Sequence, residues 1–134
     1  MKSMQEEGIR LVQEAESIFR RDVQGAWKDR DFNLVVRRAQ EAVEIALKGA
    51  LKIMGVDYPK VHDVAQLFTE QLRQKRKVQD MKALQRIEEI SLWLAQSRTP
   101  SFYFEHEYGT EDAEKALEDS AFVLTEMKKL LNIS

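Results

Sequence analysis

Arg37 to Asp63 reads R-R-A-Q-E-A-V-E-I-A-L-K-G-A-L-K-I-M-G-V-D-Y-P-K-V-H-D, and the fold is decided there. Ala39, Ala42/Val43, Ala46/Leu47 and Ala50/Leu51 recur every three or four residues, the period of an amphipathic helix from about Phe32 to Met54. Small residues dominate that stripe, so a neighbouring helix can approach closely, and Gly49 fits the same reading. Arg37, Glu41, Glu44 and Lys48 line the other face at spacings that allow ion pairs worth roughly 0.2–0.5 kcal/mol each in an isolated helix. Gly55 stands where a glycine ends a helix, and Pro59 follows. Asp63 then reads as an N-cap, with Gln66 at the third helical position in a capping-box-like arrangement.

The same periodicity extends outward. A first helix spans about Lys2 to Lys28, with Val12, Ala15, Phe19, Val23 and Ala26 on one face. The third, opened by Asp63, runs to about Gln74 and buries Val64, Phe68 and Leu72, with Arg73 to Lys77 (R-Q-K-R-K) as a turn. A fourth covers about Gln79 to Ser97 through Met81, Leu84, Ile87 and Leu94. Ser97 to Gly109 (S-R-T-P-S-F-Y-F-E-H-E-Y-G) is the one sizeable irregular stretch. Thr110 caps a fifth helix, whose Glu111 and Asp112 suit the positive end of its dipole. Its stripe of Ala113, Ala116/Leu117, Ser120/Ala121, Leu124, Met127 and Leu131 continues to the end. The expected architecture is all-α: a single up-and-down bundle of four long helices and a shorter one, forming one domain over residues 1–134.

Composition narrows the function classes. At 134 residues the chain can bury a core without staples. Five glycines and two prolines are too few for the many tight turns of a sandwich or barrel. With no cysteine, disulfides, thiolate metal sites and a cysteine nucleophile are excluded, in keeping with a reducing, cytoplasmic setting. Met1 to Gly8 carries acids and no apolar block, unlike a signal peptide, and no apolar run is long enough to span a bilayer. A net charge of −2 argues against a duplex-DNA binder; Arg73 to Lys77 is the one basic cluster. No metal site or cofactor is expected.

Two stretches together, Arg37–Asp63 and Arg98–Leu117 (R-T-P-S-F-Y-F-E-H-E-Y-G-T-E-D-A-E-K-A-L), resemble the HEPN domain family. The resemblance rests on an R-A-Q-E-A start to the second helix, a Pro-x-x-His-Asp approach to the third, and an Arg-x-Pro segment with aromatics before the last helix. It covers about Asp31 to Leu131. It implies a helical bundle that forms homodimers. Some relatives are metal-independent ribonucleases acting as toxins in toxin–antitoxin pairs, and others partner a minimal nucleotidyltransferase. The catalytic members carry an arginine followed four to six residues later by a histidine: the imidazole takes the 2′-hydroxyl proton and the guanidinium steadies phosphate charge. Here seven residues separate Arg98 from His106, including Pro100 and the aromatics Phe102, Tyr103 and Phe104, so the motif is not met.

The candidate residues each have two readings. Arg98 and His106 are the candidate catalytic pair if the intervening segment folds back on itself. Arg37, Glu41, His62, Asp63, Arg98, Tyr103 and Tyr108 are the candidate nucleotide-binding set. Against this, Asp63 serves as a cap with His62 packed beside it, and Arg37 with Glu41 forms a solvated ladder. Phe102, Tyr103, Phe104 and Tyr108 either stack on bases or plug the bundle's end or a dimer seam. Arg73–Lys77 is a solvated turn or a phosphate contact, and Trp27 and Trp93 are core or interface anchors. Three functions follow: a dimeric module that binds a nucleotide, RNA or a nucleotidyltransferase without a complete nuclease motif; an RNA endonuclease using Arg98 and His106; or an adaptor without nucleotide affinity.

Overall fold

The computed structural model describes residues 3–77 and 80–134. Every regular element among them is helical, in five rods joined by short connections. The first rod, residues 4–28, runs unbroken through α1 (Met4–Ser17), a π-helical turn (Ile18–Val23) and α2 (Gln24–Lys28). Ser3 caps it in a reciprocal capping box with Glu6. The π turn shifts the side-chain phase, so Ile18 takes the buried position expected of Phe19, which is only partly covered.

Helix α3 (Phe32–Ile53) is the central element and packs against α1, α5 and α6. Its alanine stripe from Ala39 to Leu51 is fully inside, as the periodicity requires. The closest approach is to α1: a Cβ on Gly8 would lie 2.6 Å from the Gly49 carbonyl oxygen, and one on Gly49 would lie 2.7 Å from that of Gly8. Only glycine fits either position. Gly55, at φ +79°, closes α3, with its own N–H on the Lys52 carbonyl and the Val56 N–H on that of Leu51.

Asp63 is not the residue that opens the next helix. Val64 takes the cap position of α4 (Ala65–Gln71), and Asp63 Oδ1 accepts the Ala65 N–H at 3.1 Å and the Ser91 hydroxyl at 2.7 Å. The cap is thus displaced by one residue, because the same carboxylate also ties the connection to α5. No bond returns from Gln66, so the capping box is not formed. Arg73–Lys77 is solvent-exposed, as expected, but it is helical rather than a turn. A π-helical turn (Leu72–Arg76) prolongs α4 to the left-handed Lys77. Lys75 Nζ donates to the Met54 carbonyl at 2.9 Å and Arg76 reaches that of Leu131 at 3.5 Å, so two cations cover the ends of α3 and α6.

Helix α5 (Met81–Phe102) starts at its Asp80 cap; the expected start at Gln79 lies outside the described residues, as does Lys2. It continues five residues past the expected end at Ser97, through Pro100. Proline removes only the bond to the exposed Gln96 carbonyl, which water can satisfy. Beyond it, the Tyr103 N–H still reaches the Thr99 carbonyl, and Ser97 and Ser101 bond back onto the helix. The irregular segment therefore shrinks to residues 103–109. Gly109, not Thr110, is the cap of α6 (Thr110–Leu131), its N–H held by Asp112. Among the described residues, no helix is long and apolar enough to cross a membrane.

Candidate functional site

Helices α3 and α5 lie side by side, with Asn33 against Ser101 at one end and Asp63, ahead of α4, bonded to Ser91 at the other. The groove between them gathers most of the candidate polar residues. Arg37 leaves α3 into this groove with its side chain only 14% exposed, which rules out a solvated ladder. Its Nη1 lies 3.1 Å from Glu41 Oε1 and 3.4 Å from Gln40 Oε1, and its guanidinium sits 5.0 Å from the Phe102 ring centre. Glu41 also takes Arg38 at 2.8 Å, so it is shared between two cations.

Arg98 comes from α5, one turn before Phe102. Burial pushes the Arg37 pKa down, and the charges of Arg98 and Arg38 push it further, against the pull of Glu41 and Glu44. The two guanidiniums are thus close enough for their like charges to repel. Among the described residues, the buried side-chain nitrogens and oxygens without a hydrogen-bond partner are Arg37 Nε and Arg98 Nε. Like charges brought together with unsatisfied donors cost free energy, and an anion between them relieves both costs.

Gln40, 2% exposed, extends this arrangement along α3. Its oxygen accepts from Arg37, and its nitrogen donates to Glu44 Oε1 at 2.7 Å. The amide orientation is unambiguous, since arginine only donates and a carboxylate only accepts. Glu44 also takes Lys48 Nζ on Oε2 at 2.8 Å and faces His62 Nδ1 at 3.0 Å from Oε1. Burial raises the Glu44 pKa, but the bonds from Lys48, Gln40 and His62 outweigh it and hold the carboxyl below its ordinary value.

The candidates therefore divide into groups. Arg37 and Glu41 meet directly, Arg98 lies near enough to act on the charge of Arg37, and His62 joins them through Glu44 and Gln40. Asp63 is committed to Ala65 and Ser91, which is architectural work. Tyr103 is 67% exposed beside Phe102, the rings edge to face at 4.8 Å, and Phe102 borders Arg37. His106 and Tyr108 make no contact with the arginines among the described residues: their rings touch each other at 4.5 Å, and the segment is anchored by Asn33 at the Ser101 end. Asn33 Nδ2 donates to the Ser101 and His106 carbonyls, and its Oδ1 accepts the Tyr108 N–H. No hydrogen bond, ion pair or ring contact joins Arg98 to His106 among the described residues.

Asn33 and Gln40 were not singled out from the sequence. Their signal was there: two polar side chains, seven residues apart, on the side of α3 that is otherwise apolar. Trp93 resolves as an anchor, its Nε1 donating to the buried Asp119 at 2.9 Å. A concavity of about 800 Å³ lies between the first rod and the end of α6, and none of the candidate residues lines it. Among the described residues no cluster of His, Asp or Glu is placed to hold a metal ion.

Against known proteins, the family model of the HEPN domain matches residues 7–130. No curated protein and no solved structure matches the chain.

Proposed function

The chain belongs to the HEPN domain family, and from that premise we propose that it is a module binding the phosphate of a nucleotide or single-stranded RNA between Arg37 and Arg98. The observation that carries the reading is the pair of neighbouring arginines whose buried Nε atoms have no partner. Arginine presents donors in a planar fork that fits phosphate oxygens, and charge-assisted bonds of this kind are the strong ones. Phe102 and Tyr103, exposed at the same end, supply faces on which an unpaired base stacks. The proposal assigns no cleavage, because Arg98 and His106 lack the spacing of the nuclease pattern and make no contact with each other among the described residues.

The test is fluorescence anisotropy with a short labelled single-stranded RNA. Arg37→Gln and Arg98→Gln are each expected to weaken binding about tenfold or more, since one charge-assisted bond contributes roughly 1.5–3 kcal/mol. Unchanged affinity in both variants, or no binding by the parent chain, overturns the proposal. The reading also takes the module to act as a homodimer, and light scattering at micromolar concentration that reads a monomer removes that part.

A further inference from the structure

Within that phosphate site, on which this step rests, one group remains unassigned. His62 reaches the groove from the connection before α4, and its side chain is 53% exposed. Nδ1 is anchored on Glu44 Oε1 at 3.0 Å, while Nε2 has no hydrogen bond among the described residues. Glu44 accepts from Gln40 and Lys48 and is an ionised carboxylate, so it can only accept from His62 too. In the neutral ring the proton must then sit on Nδ1, and Nε2 becomes a bare acceptor with a fixed direction.

Polarity is fixed along the whole row. Arg37 donates to Gln40, Gln40 donates to Glu44, and Glu44 holds His62. Arg37 and Glu44 are two turns apart on one face of α3, about 10 Å along the axis. The groove thus offers donors for an anion at one end and, further along, an acceptor for a hydroxyl. A ribose next to a phosphate presents that pair of groups, and a deoxyribose lacks the hydroxyl.

We infer that His62 is a specificity-determining residue: its Nε2 accepts the ribose 2′-hydroxyl of the strand held by Arg37 and Arg98, so the site prefers RNA to DNA of the same sequence. His62 contacts the ligand, while Gln40 and Glu44 act as positioning residues that fix the tautomer and the aim of the ring.

The experiment compares single-stranded oligomers of one sequence in three sugar forms: ribose, deoxyribose and 2′-O-methyl ribose. The expected preference of the parent chain for ribose over deoxyribose is about fivefold, the worth of one neutral hydrogen bond. The 2′-O-methyl strand, which has no hydroxyl to donate, should bind like the deoxyribose strand. His62→Ala should bring RNA down to the DNA level and leave DNA binding unchanged, whereas Arg98→Gln should weaken both. His62 is exposed, so alanine removes no core packing, and His62→Gln, which restores an acceptor oxygen, should recover part of the preference. Equal binding of ribose and deoxyribose strands by the parent chain overturns the inference while leaving the phosphate site standing. So does an equal loss on both strands in His62→Ala, or ribose-like binding of the methylated strand. Failure of the parent chain to bind any strand overturns the site and this inference together.

Discussion

Glu44 shows how one carboxylate sets the character of the groove. Its folded pKa lies below the ordinary value of 4.5, because the bonds from Lys48, Gln40 and His62 outweigh burial. A depressed carboxyl stabilises the fold fully above its unfolded pKa, and that contribution is lost as pH falls through the folded one. The thermal midpoint of the parent chain should therefore drop steeply below about pH 4.5. Glu44→Gln, less stable at pH 7, should lose less over the same interval; parallel acid limbs in the two melting series would exclude Glu44 as a source of the acid sensitivity. The sequence showed Glu44 only as a rung of an i, i+4 ladder. The apolar stripe around Gln40 marks it as buried, but does not show that its amide would link Arg37 to Glu44. Arg37 and Arg98 were visible as candidates, but their meeting depends on the α3–α5 packing, which no local pattern encodes.

At the scale of elements, a close helix approach on the small-residue face of α3 was legible, though not which helix would make it. An alanine-rich stripe containing Gly49 asks for a helix that comes close, and Gly8 of α1 is what comes. Gly8→Ala would place a methyl 2.6 Å from the Gly49 carbonyl oxygen and 2.8 Å from the Ile53 nitrogen, both backbone atoms that cannot turn aside. Separating the helices should cost about 1–3 kcal/mol in urea unfolding, an overpacking penalty that outweighs the gain in helix propensity of alanine over glycine. Gly49→Ala should cost a similar amount. The double variant should cost less than the two together, because the helices have to move apart only once. Additive losses would mean that the two glycines do not share one contact. The ends of elements were less legible. Pro100 signalled a break, but proline in the last turns of a helix gives up only one bond, here on an exposed carbonyl, so α5 continues and carries Arg98 on a rigid rod. The basic run Arg73–Lys77 resembled a turn because sequence shows charge but not the distant carbonyls of Met54 and Leu131 that two of those charges cover.

Across the whole molecule, the phosphate site is a small region of positive charge on a chain whose net charge is −2. Most other cations near the groove are already engaged: Lys48 by Glu44, Arg38 by Glu41, and Lys75 by a helix terminus. Binding to a single strand should therefore neutralise about one phosphate and no more. Counterion release then sets a shallow salt dependence, a slope of about −0.7 in log affinity against log salt. Between 50 and 200 mM salt, a fourfold change, affinity should fall only about two- to threefold. A titration giving a slope near −4 or steeper would mean that the strand follows a wider basic surface than Arg37 and Arg98, and would move the site. A slope near zero would mean that phosphate is not what the groove holds. The intermediate value is the one that matches two half-buried arginines on an otherwise acidic bundle, where the surrounding negative charge discourages a rigid duplex and leaves recognition to one phosphate, one base face and one sugar hydroxyl.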